Sequence, residues 1–448
     1  MKRIVLILFL FLESCNLPTL NRFLFDSQLI YNLIKGSSLN QNLESVEIIF
    51  NPPTNSILVY DGRVEISAKP SGVMIYYTTD GITPTNTSTQ YNSPIAPNIE
   101  FPGKTIKAIA IGQNGQTSKI FEARYFFPIL KSGQNTCYNL VSNNNEPCTI
   151  GSHNGQDGLL QSGYTRSYNS LQAPIGYPSD LITVDTILGQ VWTACNLGSS
   201  GISCVNPYTP YNWNDAKLAC TALNAGSGYA GRTNWRLPKR IELLNLLIMD
   251  STQADLVNFP STFLTGYYWV DDSYPTNVAY GSMIGFVNWA LSGGMNSGTR
   301  PIRCISGDPK INSLSDLGNG TVLDNLYGLL WTKCLDGEDP INCSGVANSH
   351  TYPQALNYCN SKTLDGRIWR LPNAYELETL VDLTAPSAPY IKSANIFSLG
   401  LGVGKLNSST TYPSNTSDFF RLDTITGSIS GFGVLKNNPS YSFCVTNY

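Results

Sequence analysis

The string Trp235-Arg236-Leu237-Pro238 returns as Trp369-Arg370-Leu371-Pro372. In both copies a Glu (Glu242, Glu376) stands seven residues after the Trp and opens an apolar run with helical spacing. The cysteines repeat with it. Cys195 to Cys204 and Cys334 to Cys343 are both nine apart, and Cys204 to Cys220 and Cys343 to Cys359 are both sixteen apart. The last steps, Cys220 to Cys304 and Cys359 to Cys444, are 84 and 85. A chain that writes this pattern twice holds two copies of one domain. Four cysteines per copy allow three connectivities. The preferred pairs are Cys195–Cys204 with Cys220–Cys304, and Cys334–Cys343 with Cys359–Cys444. The first of each closes a local loop, and the second ties an early helix to the final strand.

Cysteine number also bears on compartment. Of eleven cysteines, Cys15 stands apart and ten form an even set, the usage of an exported, disulfide-bonded chain. Cys137 and Cys148 are expected to bridge a polar leader. No CxxC or Cys/His cluster points to a metal, and His153 and His350 lie in polar, loop-like surroundings and read as solvent-exposed. Charged residues are only 13% and the net charge is −3. No block of Lys and Arg offers a footprint for nucleic acid. No cofactor motif appears, neither a phosphate loop nor a nucleophile elbow.

The N-terminus reads as a signal. Met1-Lys2-Arg3 is basic and Ile4–Leu12 is an apolar run too short to span a bilayer. Leu12-Glu13-Ser14-Cys15 resembles a bacterial lipobox, which implies cleavage after residue 14 and a diacylglycerol on Cys15. Glu13 departs from the usual small residue. The alternative is a plain secretory signal with an incidental Cys. On this reading 1–14 is a lipoprotein signal peptide, 15–45 a tether, and the destination the bacterial outer membrane or cell surface.

Short β-type runs separated by Asp61-Gly62, Asp80-Gly81 and Asn114-Gly115 turns fill 46–128 and predict a β-sandwich. The run Ile75-Tyr76-Tyr77-Thr78-Thr79-Asp80-Gly81-Ile82-Thr83-Pro84-Thr85, with Tyr91, Pro94-Ile95 and Thr105–Ala110, resembles the Ig-like domain at the C-terminus of chitobiases and hexosaminidases. That resemblance implies an accessory module, here a stalk, with no catalytic residues. A Gly/Asn-rich leader covers 129–180.

The repeats span 181–307 and 318–448. Each reads as strand, Cys loop, helix, Trp-Arg-Leu-Pro turn, second helix, then a long irregular stretch ending in strands. Asp185 and Asp324 both lie seven residues before a Trp, in Gly189-Gln190-Val191-Trp192 and Gly328-Leu329-Leu330-Trp331. The Gly-x-x-Trp start, the Trp-Arg-Leu-Pro-x-x-x-Glu-Leu centre and the Arg303-Cys304 or Phe443-Cys444 end resemble the C-terminal domain family of a bacterial collagen-like adhesin. That resemblance implies a C-type-lectin-like fold and a cell-surface role. The expected fold class is therefore multidomain, an all-β Ig-like sandwich followed by two α+β C-type-lectin-like domains.

The pairs Arg236–Glu242 and Arg370–Glu376, with Trp235, Pro238, Trp369 and Pro372, are expected to be structural, pinning each turn to its helix. Trp213-Asn214-Asp215 spells a triplet of calcium-dependent lectins, but it precedes a helix and lacks the upstream partner motif, so it is set aside. The binding surface is expected in the long stretches where the copies disagree, about 250–300 and 385–440. Tyr267, Tyr268, Trp269, Tyr274 and Trp289 are candidates there unless they serve the core. The functional expectation is a non-enzymatic, lipid-anchored surface protein, an adhesin or ligand-binding protein for a host matrix protein or glycan. The rivals are an enzyme of the formylglycine-generating or glycan-acting type and a purely structural envelope protein.

Overall fold

The computed structural model describes residues 46–448 except 97–104, 113–114, 202, 206, 251–252, 255–256, 261–265, 276, 278, 286–289, 398 and 400–403. The signal, tether and Cys15 lie outside the described residues. Within them, no helix is long and apolar enough to cross a membrane.

The chain is mostly β. Five small, blade-like sheets hold three to five strands each, with two-stranded ladders beside them and only five short α-helices among the described residues. This corrects the expected fold class: the chain is not an Ig-like sandwich followed by two α+β C-type-lectin-like domains. The reason is visible in the elements. The expected second helices are a turn or so long, Arg240–Leu244 and Ala374–Thr379, too short to form a layer against a sheet. In the first module one five-stranded sheet, running from Ser56–Ile57 to Thr89–Gln90, stands beside a two-stranded ladder of Glu47–Asn51 and Glu65–Lys69.

Each repeat contributes two sheets. In the first, Val191–Thr193 pairs with Ile305–Ser306, which pairs with Trp235–Arg236. In the second, Leu329–Thr332 pairs with Val445–Asn447, and Arg370 bridges Val445. The other sheets are three-stranded meanders, Tyr267–Ser273 to Ala290–Met295 and Lys405–Thr411 to Ser428–Ser430. The longer helices, Trp213–Ala222 and Tyr352–Ser361, bury matching faces. Ala216 with Cys220, and Ala355 with Cys359, lie four apart on one face and are fully buried.

The ten described cysteines pair as Cys137–Cys148, Cys195–Cys204, Cys220–Cys304, Cys334–Cys343 and Cys359–Cys444. The two long closures, Cys220–Cys304 and Cys359–Cys444, join a helix to the residue just before the strand beside the Trp-Arg-Leu-Pro segment.

One apolar core runs through both copies. Trp192, Leu243, Leu244 and Leu247 of the first belong to the same buried cluster as Trp331, Ala374, Tyr375, Leu377 and Leu380 of the second. Tyr375 crosses the seam, its hydroxyl reaching the carbonyls of Leu244 and Leu247 at 2.7 and 2.5 Å. Arg166 of the leader sits on the same spot and donates to the carbonyls of Asn245 and Lys131 and to the Tyr375 hydroxyl.

The first module is not a free-standing stalk, because it touches both repeats at equivalent turns. Tyr60 lies against Gly189, and Phe126 against Gly328. Both glycines have positive φ (69° and 66°), and a Cβ there would stand 2.2 Å from Tyr60 and 2.6 Å from Phe126. Glycine therefore supplies both the left-handed turn and the close approach.

Candidate functional site

The repeated motif is consumed by its own turn in both copies. Trp235 and Trp369 are buried and donate their indole N–H to the carbonyls of Tyr229 and Leu364, both at 2.8 Å. Pro238 and Pro372 carry the chain into the short helices. Arg236 donates twice to Glu242 (2.8 and 2.6 Å), and Arg370 twice to Glu376 (2.6 and 2.5 Å). Each Glu also accepts a backbone N–H at its helix start, from Lys239 at 2.7 Å and from Asn373 at 2.8 Å. Every carboxylate oxygen is thus held inside the turn. Arg370→Ala or Arg236→Ala is expected to cost about 1.5–3 kcal/mol, the range for hydrogen bonds to charged groups. Thermal melting reads this directly, and an unchanged midpoint would remove the structural role.

Asp185 and Asp324 cap the docking turns. Asp185 Oδ1 accepts from the N–H groups of Ile187 and Leu188, both at 2.8 Å, and Asp324 Oδ1 from those of Leu326 and Tyr327 (3.0 and 2.8 Å). Burial raises both to about 6, against the pull of those hydrogen bonds. Asp157 of the leader, bonded to Thr410 at 2.6 Å, is raised to about 6 by burial as well. Carboxyls raised in the fold favour it fully below their unfolded value and lose that contribution as pH rises through about 6. The thermal midpoint should therefore fall between pH 4 and pH 7, and Asp324→Asn should flatten the slope. A slope identical to wild type would contradict this reading.

The seam between the copies holds a buried charge pair. Arg240 Nη2 lies 2.7 Å from Glu378 Oε2, both side chains nearly inaccessible. Burial raises Glu378 to about 7, against the Arg240 charge. Asp272 accepts the backbone N–H of Arg240 at 2.6 Å. This pair is one-sided. By the motif alignment, the positions of Arg240 and Glu378 correspond to Ala374 and Leu244 in the other copy, and those two lie in the apolar core.

Of the residues expected to meet a ligand, Tyr268 (1% exposed) and Trp269 (0%) are core. The Trp269 indole donates to Tyr211 O at 2.9 Å. Tyr267 and Tyr274 are half-buried, and Trp289 lies outside the described residues. Trp213 is also core, its indole donating to Val270 O at 2.8 Å as the equivalent Tyr352 hydroxyl does to Ser409 O at 2.8 Å. The two histidines are not solvent-exposed side chains. His153 is buried against Glu146 at 3.1 Å, and His350 stacks on Tyr358 and meets Asp336 at 3.2 Å. Cys334, Glu338 and Cys343 cluster closely enough to suggest a metal, but the two sulfurs are bonded to each other.

Two depressions among the described residues bear on a binding site. One, between the first module and repeat one, includes Tyr60, Phe127, Arg236, Glu242 and Lys310 in its lining. Its volume, about 60 Å³, suits a few waters rather than a ligand. The other is a recess of about 390 Å³, within the range of ligand sites. The leader hairpin supplies Leu140, Val141 and Asn143, the start of helix Tyr352–Ser361 supplies Thr351 and Pro353, and the late stretch of repeat two supplies Ser417, Leu435, Lys436 and Asn437. Lys436 is its only charged lining residue. Composition hid this site, because none of its residues belongs to a motif and a third of its lining comes from the leader.

A mostly β chain that carries two disulfide-tied copies of one domain behind a β module is a tandem-domain protein. The Lcl C-terminal domain matches residues 181–306 and again 320–446, together more than half of the chain. The chain belongs to the Lcl C-terminal domain family. An Fn3-associated domain matches residues 64–125. Neither is an enzymatic family. No curated protein matches the chain in sequence.

Proposed function

We propose that this is a non-enzymatic, exported surface protein, lipid-anchored through Cys15, that binds a protein or glycan partner with the recess of its second repeat. The recess carries the proposal. It has a volume within the range of ligand sites, it is open, and the 385–440 stretch where the copies diverge supplies Ser417, Leu435, Lys436 and Asn437 to its wall. The Arg–Glu pairs do not compete for this role, since each is consumed by its own turn. Lipidation rests on the Leu12–Cys15 string and on the isolation of Cys15 from the paired set. A screen of the delipidated chain against matrix proteins and glycans tests the proposal. A saturable binder at micromolar concentration or below is expected, and none across both classes would overturn it. Metal-dependent turnover would favour the enzyme reading.

A further inference from the structure

The two copies make the same backbone contact at the start of their longer helices. Trp213 N donates to Asn296 O at 3.1 Å, and Tyr352 N donates to Lys436 O at 2.9 Å. Asn296 and Lys436 are therefore equivalent positions, and the second copy has a cation where the first has an amide.

That cation is unusual. Lys436 is 5% exposed and its ammonium makes no hydrogen bond to the protein. It lies between the rings of Tyr138 and Tyr352, 4.9 and 5.0 Å from their centroids. Sequence neighbours of both rings, Leu140 on one side and Thr351 and Pro353 on the other, line the recess. Lys436 thus lines the recess with its ammonium buried on a flexible four-carbon stem. The nearby carboxylate of Asp418 is engaged through Oδ2 by Asn415 and by the Gly433 N–H, both at 3.0 Å, while its buried Oδ1 makes no hydrogen bond, so Asp418 acts on Lys436 through charge alone. No Asp or Glu lines the recess, and the first turn of a ten-residue helix contributes Thr351 and Pro353 to its wall. The Asn143 side-chain oxygen, also in the lining, is buried and makes no hydrogen bond. Leu140, Val141, Pro353 and Leu435 complete an apolar wall.

From this set we infer that the recess takes the carboxy-terminus of a peptide ending in an apolar residue. The carboxylate meets Lys436, a backbone N–H meets Asn143, and the last side chain meets the apolar wall. Burial lowers Lys436 to about 7, and a single carboxylate brought beside it favours the charged ammonium. One cation offers little to a polysulfated chain, which needs several. The inference rests on the proposal that this recess is the binding site, and it names the ligand.

The test uses the full chain and a fluorescent peptide ending in Gly-Leu, made once with a free carboxylate and once as the carboxamide. The acid form should bind at least tenfold more tightly. Lys436→Met should remove that difference, and Val141→Ser, at a side chain 92% exposed, should weaken both forms without unfolding the protein. Equal binding of acid and amide to the wild-type chain would overturn the inference. So would a glycan binding here in place of the peptide. A partner found by the broader screen at this recess, with acid and amide peptides indistinguishable, would leave the proposed function standing and remove only the peptide assignment.

Discussion

Replacing Arg240 with Ala should destabilise the protein by about 3–5 kcal/mol, the cost of leaving one half of a buried ion pair without its partner. Glu378 is the half left behind, in a pocket that already raises it to about 7. Protonation relieves the penalty, so the loss should be smaller at pH 5.5 than at pH 8.5, where the carboxylate must stay charged. The other flank of the seam shows how to repair it. Arg240→Ala with Glu378→Leu writes into this flank the Ala374 and Leu244 found opposite, and should recover most of the loss. Denaturant titrations of the two single variants and the double variant check this as a cycle. Additive losses in the double variant would mean that the two residues do not act as a pair.

Removing Cys359–Cys444 is the second large effect. The bridge closes 85 residues, and chain entropy alone then assigns it about 4–5 kcal/mol. Cys334–Cys343 closes nine and should be worth about 2.5 kcal/mol on the same footing. Replacing each pair with Ser and unfolding in urea compares them within one molecule. Equal losses would show that loop length does not govern these bridges. Since Cys444 adjoins Val445, which Arg370 bridges, loss of the long closure should also loosen the Trp-Arg-Leu-Pro turn of its copy.

What could be read from the sequence was periodic. The duplication was legible because Trp, Arg, Pro, Glu and Cys recur at fixed offsets, and the two matches to the Lcl C-terminal domain bear it out. The fold class was not legible. Short apolar runs announce strands, but nothing in Val191–Thr193 says that it pairs with Ile305–Ser306, more than a hundred residues away. Glycine at 189 and 328 was visible as part of a repeated start. Its reason, the rings of Tyr60 and Phe126 against it, is a contact between modules and leaves no local pattern. The aromatic cluster at 267–269 falls in a variable stretch, where sequence alone leaves ligand contact and core packing both open; Tyr268 and Trp269 fill the core. Lys436 was silent for the opposite reason: a lone lysine in a polar loop reads as solvated, and only the leader hairpin folding over it makes it buried.

The proposed binding site is the recess lined by the second repeat, where the copies differ, and not the shared motif. Asn437→Trp tests it most directly. Asn437 is exposed and lines the recess, so an indole there fills the space without disturbing the core. Binding of whichever partner the screen identifies, measured by calorimetry on wild type and variant, should fall at least tenfold with the melting temperature unchanged. Undiminished affinity in the filled variant would place binding elsewhere on the molecule and contradict the account.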